Sequence, residues 1–484
     1  MKYIKISIVI LLVSFISIFA YKLTTNNSSN KISLTKEQMK EMLSYTIDGN
    51  KTSSMPTKGS GYKVKSITCK SGSILSWDND NWLLEVEKLE SEDLCNIDFT
   101  TGTGSYTVTA VPSIAGSLDS TSKTTTENGV VTFYTDAIID SVSGCTNEIS
   151  DGKVIVKNVT SNTTCNINVS YMKLYDKLLA DKSTRLTRTD FSTVLTTDNT
   201  NTLYTSTEDS KTVYYFAGNA TDNWVQFGGY YWRIIRTNSD GGVRLLYHGT
   251  STTAENAYIG ESAFNNSYNN IAYVSYMYGS TGSIANARTN QTNSSTIKTA
   301  IDNWYKDNLN TNYGKYLSTT AVYCNDRSTS DNANFGARTR LDTNKTPSYD
   351  CAATEDKFTV DTSTGNGKLT YPIALMTADE VSFAGGVMYT NASTWYYYNS
   401  AKGSSTGSTW WWLLSPEFWY DSGAYVSQVF GLDHPGYLDY RRVGDARDSS
   451  GVRPAVSLKS CVKTSGGNGS ASDPYTIKET ETGC

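Results

Sequence analysis

The side chains best suited to chemistry are concentrated near the C-terminus, between two apolar segments at residues 410–414 and 452–458. Tyr and Trp provide large contact areas at low entropy cost and keep a polar end, while small polar residues adapt their hydrogen bonds, a mixture typical of paratopes. We therefore predict that this segment binds a ligand. The predicted contact residues are Trp419, Tyr420, Asp421, Gln428, Asp433, His434, Tyr437, Asp439, Tyr440, Arg442 and Arg447.

Catalytic arrangements have little support in the sequence. A Ser-His-Asp triad would need His248 or His434, and neither lies in a Gly-x-Ser-x-Gly motif. Asp379 and Glu380 would be an acid–base pair for a glycan, but their place in the first turn of a predicted helix, where they complement its dipole, is the simpler interpretation. We predict a non-enzymatic binding protein without a cofactor. The alternatives are a hydrolase of cell-surface glycans and a self-assembling structural protein.

Eight cysteines, an even number, indicate a disulfide-bonded chain in an oxidising compartment. Eight cysteines allow 105 connectivities, so proximity and an internal repeat decide our choice. No CxxC occurs and the chain has two histidines, so no metal site is expected. The predicted pairs are Cys69 with Cys95, Cys145 with Cys165, Cys324 with Cys351, and Cys461 with Cys484.

The N-terminus has the pattern of an export signal. Lys2 and Lys5 precede an uncharged run at residues 6–21, which Lys22 closes. We interpret residues 1–22 as a signal peptide or a membrane anchor, so the membrane is an expected partner and the rest of the chain is expected outside the cell. The net charge of −5 provides no basic patch, and nucleic acid is therefore not an expected partner.

Between this segment and the large C-terminal domain, the sequence predicts a stalk and two small β modules. The stalk, residues 23–59, is predicted to contain one short helix, because a capping box at residues 35–38 is followed by Met39, Met42 and Leu43 at helical spacing. Residues 60–103 and 104–172 are repeats, because aligning Cys95 with Cys165 superimposes two strand-like segments in each copy. We interpret both modules as spacers.

The remaining residues are predicted to form a linker and one α+β domain. A short helix at residues 173–180 begins the linker, which extends to residue 210. The domain, residues 211–484, is predicted to contain a β-hairpin at 230–247 and a helix at 295–309. A second helix is predicted from Thr377, where a capping box begins it.

Four motifs in this domain resemble those of the formylglycine-generating-enzyme branch of the C-type-lectin-like fold. The stretch YPIALMTADEVSFAGG, residues 371–386, is similar to the start of the second helix of that fold, and Gly-Val-Arg-Pro at 451–454 is similar to its closing strand. With WWLLSP and the Tyr-Tyr-Trp-Arg-Ile hairpin, residues 211–459 resemble a group of Gram-positive surface proteins. The resemblance implies two β modules followed by a lectin-like domain, in a multidomain, mainly β chain.

The chain also departs from that family in ways that narrow the expected function. The catalytic members of that family are oxidases with paired active-site cysteines. Their cysteine-bearing segment is missing after the second helix of this chain, and Cys324 and Cys351 precede that helix instead. The Glu-Pro-Asn and Trp-Asn-Asp motifs that hold calcium and sugar are missing as well. The resemblance therefore implies a scaffold that presents side chains near its C-terminus to a protein or glycan on a host or neighbouring cell.

Overall fold

The structure is a computed structural model, and it divides the chain into two compact units, Met1–Ser170 and Tyr171–Cys484. The chain is mainly β, as predicted, and the second unit also contains helices. The residues that the structure describes are 5–11, 18–24, 42–78, 82–90, 92–102, 104–253, 257–329, 333–392, 398–399, 402–403, 410–429, 436–444 and 449–484.

The first unit consists of short strands in small sheets. Its strands are β1 Lys5–Leu11, β2 Ile18–Thr24, β3 Leu43–Ile47, β4 Asn50–Thr52, β5 Tyr62–Cys69, β6 Ile74–Asp78, β7 Leu83–Lys88, β8 Cys95–Thr101, β9 Ser105–Pro112, β10 Ser122–Thr126, β11 Gly129–Tyr134, β12 Ile138–Ser143, β13 Asn147–Ser150, β14 Lys153–Val159 and β15 Thr163–Ser170.

The predicted repeat corresponds to two modules with a common topology, the first module at residues 43–101 and the second at 105–170. In the first, β3 runs parallel to β8, and β5 pairs antiparallel with β8. In the second, β9 runs parallel to β15, and β12 pairs antiparallel with β15. In each module, alternating apolar residues point into a thin core, as Ile97 and Phe99 do in the first module. The Cys69–Cys95 disulfide reinforces the first module and Cys145–Cys165 the second.

The described part of the N-terminal segment consists of strands. In its described part, β1 and β2 form an antiparallel hairpin, and β1 also pairs with β7. None of the helices formed by described residues has the length and apolar character needed to traverse a bilayer. Leu43, expected at the end of a stalk helix, is the first residue of β3 because it pairs with Cys95, and the rest of that expected helix falls outside the described residues except for Met42.

The second unit contains the remaining strands together with several helices. Its strands are β16 Thr184–Thr187, β17 Thr202–Glu208, β18 Lys211–Tyr215, β19 Trp224–Phe227, β20 Tyr230–Thr237, β21 Val243–Gly249, β22 Glu261–Ser262, β23 Met277–Tyr278, β24 Asn293–Ser294, β25 Tyr323–Cys324, β26 Lys357–Phe358, β27 Ile373–Leu375, β28 Tyr398–Asn399, β29 Lys402–Gly403, β30 Trp411–Tyr420, β31 Gly423–Val429, β32 Leu438–Arg442, β33 Ser450–Gly451, β34 Pro454–Leu458, β35 Thr464–Gly466 and β36 Tyr475–Ile477. Its α-helices are α1 Leu174–Asp181, α2 Ile284–Arg288, α3 Thr296–Asn308, α4 Asn310–Tyr313, α5 Gly336–Arg338 and α6 Ala378–Phe383. Its short 3₁₀ segments are Ile271–Val274, Gly314–Tyr316 and Thr354–Asp356, and Thr339–Asn344 is a π-helical turn.

Three of the motifs that carried the resemblance are neighbours in the large sheet of this unit. The predicted hairpin is β20 and β21, β21 also pairs antiparallel with β34, and β34 pairs with β27. The capping box at Thr377 is formed as predicted and starts α6 immediately after β27. The fourth motif, WWLLSP, lies in β30 and belongs to a second sheet.

The predicted linker is part of this unit. Leu174 and Leu178 of α1 and Leu203 of β17 belong to its main apolar core. β17 pairs antiparallel with β18, and β16 pairs parallel with β17. The boundary therefore lies at residue 171 and not at 211, because apolar side chains of residues 171–210 are buried in this unit's core.

Candidate functional site

Most of the described part of the predicted binding segment lies on a five-stranded sheet with the order β22-β33-β30-β31-β32. β30 and β31 form a hairpin in which Tyr420 pairs with Gly423. Asp421 and Ser422, between them, both have positive φ angles, of 46° and 55°. Two such residues give the tight turn whose twist matches that of the flanking strands. This geometry presents Tyr420 at the hairpin tip with 68% of its surface exposed.

Next to the hairpin tip, five rings form what we call the aromatic cluster: Phe418, Tyr425, Tyr440, Tyr389 and Tyr437. Phe418 stacks on Tyr425 and meets Tyr440 edge-on, with centroid separations of 4.5 Å in both pairs. Tyr389 lies 6.2 Å from both Tyr437 and Tyr440. The four tyrosines are half-buried, so each rests on the sheet and keeps part of its surface in solvent.

A cation borders this cluster. The guanidinium carbon of Arg338 lies 4.7 Å from the ring centroid of Phe418 and 5.8 Å from that of Tyr440. A guanidinium over an aromatic face is attracted by the ring quadrupole. The segment before α5 brings Arg338 to this place, since Phe335 N donates to the carbonyl oxygen of Glu417 at 3.0 Å.

A buried carboxyl group accompanies the cation. Glu417 is 1% exposed, and its Oε2 accepts a hydrogen bond of 2.7 Å from the Ser427 hydroxyl. Its Oε1 lies 3.7 Å from Nη1 of Arg338, beyond hydrogen-bond distance. Burial raises the pKa of the Glu417 carboxyl to about 8, because Ser427 and Arg338 offset only part of the cost of removing its charge from water.

The predicted contact residues separate into four groups. Tyr420 and Asp421 are exposed at the hairpin tip, and Trp419 is partly buried against the core. Tyr437, Asp439, Tyr440 and Arg442 are half-buried on or beside the aromatic cluster. Gln428 is fully buried, and its side-chain nitrogen donates to the Ser450 hydroxyl at 2.9 Å. Asp433, His434 and Arg447 lie outside the described residues.

Sequence reasoning missed Arg338, Tyr389 and Glu417. Tyr389 reaches the cluster because its backbone N donates to the carbonyl oxygen of Leu438 on β32 at 3.0 Å. Arg338 arrives from a segment about eighty residues earlier in the chain. No local pattern marks either contact, since both depend on tertiary pairing.

The carboxylates considered for acid–base catalysis are part of a buried ion network. Glu380 accepts hydrogen bonds from Arg236 Nε at 3.0 Å and Arg244 Nη1 at 2.9 Å. Although burial alone would raise it, the two guanidinium groups hold the pKa of Glu380 below its usual value. Asp379 accepts hydrogen bonds from Nε and Nη2 of Arg340, at 2.9 and 2.8 Å. Their geometry is that of structural ion pairs.

A second group of carboxylates lines an open groove beside α1. Asp181 accepts from Lys177 Nζ at 2.6 Å and from the Tyr475 hydroxyl at 2.9 Å. Asp222 lies 2.8 Å from the ammonium group of Lys182, which is 3% exposed. Both carboxylates therefore have cationic partners, unlike the free acid and free base that glycoside hydrolysis requires.

The eight cysteines form the four predicted disulfides, Cys69–Cys95, Cys145–Cys165, Cys324–Cys351 and Cys461–Cys484. Asp93 lies close to the first of them, so that the three residues are near enough to hold a metal ion. Oxidised cysteines are not thiolate ligands, however, and the Asp93 carboxylate accepts from the backbone N of Ser71 and Ser73 at 2.6 and 2.8 Å. This group therefore fixes a loop.

Comparisons of the chain with protein-family models, with curated proteins and with solved structures found no match. The four disulfides are characteristic of an oxidising, extracellular environment.

Proposed function

We propose that the protein is an extracellular surface protein that binds a ligand without chemical conversion. The binding surface consists of the hairpin tip, Tyr420 and Asp421, together with the aromatic cluster. The observation that carries this proposal is the exposure of Tyr420 beside four half-buried tyrosines. Each of these rings offers apolar area together with a hydroxyl, and each already has part of its conformational freedom removed by packing.

The charges around the rings support the choice of a macromolecular partner. Arg338 and Arg442 lie over aromatic rings, with the Arg442 guanidinium carbon 4.1 Å from the Tyr268 centroid. Asp439 stands between the tyrosines at positions 437 and 440. Aromatic anchors bordered by planar cations and a carboxylate match the composition of binding hot spots. We propose a protein or glycan on a host or neighbouring cell as the partner.

The surrounding domain is proposed to be the lectin-like scaffold that the sequence resembles. Its hairpin β20–β21 pairs with the proposed closing strand β34, and α6 starts at the capping box. Residues 1–22 are proposed to direct the chain to and through the membrane, which fits the disulfides. Presenting a binding surface outside the cell is the role that joins these features.

The test is a combined replacement of four aromatics by alanine, the partly buried Trp419 together with Tyr420, Tyr437 and Tyr440. We expect binding of the purified protein to glycan arrays and to host or bacterial cells to be lost. The single substitution Tyr420→Ala should weaken binding while leaving the melting temperature within about 2 °C, since an exposed side chain contributes little to stability.

A matched control exists in the first unit. Tyr134 on β11 is 55% exposed and remote in sequence from the proposed surface, so Tyr134→Ala removes an exposed tyrosine without touching the site. Binding should be unchanged in this variant. If the fourfold variant binds as well as the parent chain, or if Tyr134→Ala weakens binding equally, the proposed surface is not the binding site.

A further inference from the structure

The two modules of the first unit match strand for strand, except at one position. The pairs β3 and β9, β4 and β10, β5 and β12, β6 and β13, β7 and β14, and β8 and β15 occupy equivalent places in the two pairing patterns. The second module has an additional strand, β11, between the second and third of these. Residues 43–101 contain no strand equivalent to β11 in their described part.

In the second module, β11 completes the core. It pairs antiparallel with β14, so that Val131 stands opposite Val156 and Phe133 opposite Val154. All four side chains are at most 4% exposed. The sheet order β11-β14-β13 therefore gives β14 a hydrogen-bonded neighbour on both sides.

Without such a strand, the equivalent β7 would be an edge. Its residues Leu84 and Val86 are the counterparts of Val154 and Val156, and each is 3% exposed. An edge strand presents a row of unpaired backbone N–H and C=O groups, which is a template for another strand. Residues 43–101 alone therefore lack one strand, and β7 can accept a strand from elsewhere at that position.

In the structure, β1 fills this position in the equivalent register. Ile6 stands opposite Val86, Ser7 opposite Glu85 and Ile8 opposite Leu84. Under the alignment that superimposes Leu84 on Val154, the triplet Ile6-Ser7-Ile8 occupies the positions of Val131, Thr132 and Phe133. Both strands run antiparallel to their partner, and both have the order apolar, polar, apolar.

We propose that Lys5–Leu11 is the donated strand that completes the first module, a role of the N-terminal segment beyond membrane targeting. Recognition comes from backbone hydrogen bonds along β7 and from apolar residues at alternate positions, the physics of strand addition. The segment cannot pair with β7 and lie in a bilayer at the same time. The β7 edge is therefore open whenever the N-terminal segment is in the membrane or has been removed.

The first experiment compares two substitutions in the full chain by hydrogen exchange. Position 8 corresponds to the buried Phe133 and position 7 to the half-buried Thr132. Ile8→Asp should therefore release the strand and increase amide exchange in β7 by about tenfold or more, whereas Ser7→Asp should change it much less. Exchange in β14 serves as the internal reference, because β11 is intact in both variants.

The second experiment supplies the strand in trans. A chain that starts at residue 25 should show the same fast exchange in β7, and a synthetic peptide of residues 5–11 with added lysines should restore protection. A peptide of the same composition with its alternation scrambled should not. Equal β7 exchange in the long and short chains would overturn the proposal, as would failure of the peptide. Protection of β7 through dimerisation of the short chain would assign the edge to a second copy instead.

Discussion

At the scale of single residues, Glu417 links the candidate site to the solution pH. Its carboxyl is 1% exposed, and burial raises its pKa to about 8 from a usual 4.5. The folded state therefore holds a proton that the unfolded state releases between these two values. This carboxyl group therefore lowers the free energy of unfolding progressively as the pH rises from about 4.5 to about 8, and the loss of stability is complete above pH 8.

We predict that Glu417→Gln stabilises the protein at neutral and alkaline pH. The amide keeps the shape and the hydrogen-bonding capacity of the protonated acid but has no charge to bury. Its advantage should be near zero at pH 5, should grow up to about pH 8 and should then level off. An upper bound is about 5 kcal/mol, at about 1.4 kcal/mol per unit of pKa. Urea unfolding across this pH range measures it, and an advantage independent of pH would contradict the assigned ionisation.

The opposite behaviour is expected at Glu380, whose ionised form is stabilised by Arg236 and Arg244. Replacing it with alanine would leave two guanidinium groups in a buried site without their shared partner. Removal of one member of a buried ion pair costs about 3–5 kcal/mol. We predict a loss of this size for Glu380→Ala in chemical denaturation. Asp421→Asn, at an exposed carboxylate, should change the free energy of unfolding by less than about 0.5 kcal/mol.

At the scale of secondary structure elements, the sequence predicted those that have a local cause. The helix expected at 295–309 is α3, because Ser295 accepts from Lys298 N and Ile297, Ile301 and Tyr305 form its buried stripe. The hairpin β20–β21 and the capping box at Thr377 also follow from neighbouring residues. Such signals depend on spacing within one turn or one hairpin, so they can be read without the tertiary fold.

The elements and contacts that were missed depend on distant parts of the chain. The alternation around Gln428 predicts a strand with one exposed face, whereas Ser427 and Gln428 are both fully buried and Gln428 donates to Ser450 on β33. Arg338 and Tyr389 meet the aromatic cluster through backbone bonds to other segments. The segment predicted to bind a ligand therefore lies partly on β30 and β31, whereas the cation and the buried acid beside it were not predicted.

The disulfide of the second module is expected to stabilise the strands that it joins. Cys145 and Cys165 close a loop with a sequence separation of 20 and join the segment after β12 to β15. In the chain-entropy model a loop of this length contributes about 3 kcal/mol. We expect the double variant Cys145→Ser, Cys165→Ser to exchange its β12 and β15 amides faster by a factor of about one hundred.

The first module supplies the control for that experiment. Exchange in β5 and β8, which the Cys69–Cys95 disulfide joins, should be unchanged in the double variant. Equal loosening of both modules would show that they unfold as one unit. No change in either module would contradict a stabilising role for the second disulfide.

At the scale of the whole molecule, the two small modules and the second unit differ in the size of their apolar cores. Each small module has a thin core and a disulfide, because a chain of that length buries too little apolar surface by itself. The second unit has an extensive core that includes Trp232, Trp411 and Trp412. Length and composition predicted this division, but they placed the domain boundary too late, since polar Thr- and Asn-rich residues before position 211 obscured the apolar ones.

The boundary of the second unit can be tested by comparing the stability of two shorter chains, residues 171–484 and residues 211–484. The shorter chain lacks Leu174, Leu178 and Leu203, each at most 1% exposed, and it loses β17 from the edge of β18. Burying one such leucine contributes about 1.5–3 kcal/mol. The shorter chain also loses Glu208, whose Oε1 lies 2.7 Å from the buried Arg236.

We therefore expect chain 171–484 to be a folded protein with a cooperative thermal transition, and chain 211–484 to aggregate or to melt at least about 10 °C lower. Circular dichroism and size-exclusion chromatography of both chains measure the difference. Adding residues 202–210 to the shorter chain should recover part of the loss, because β17, with Leu203 and Glu208, returns while α1 does not. Equal melting temperatures of the two chains would mean that residues 171–210 pack on the domain without stabilising it.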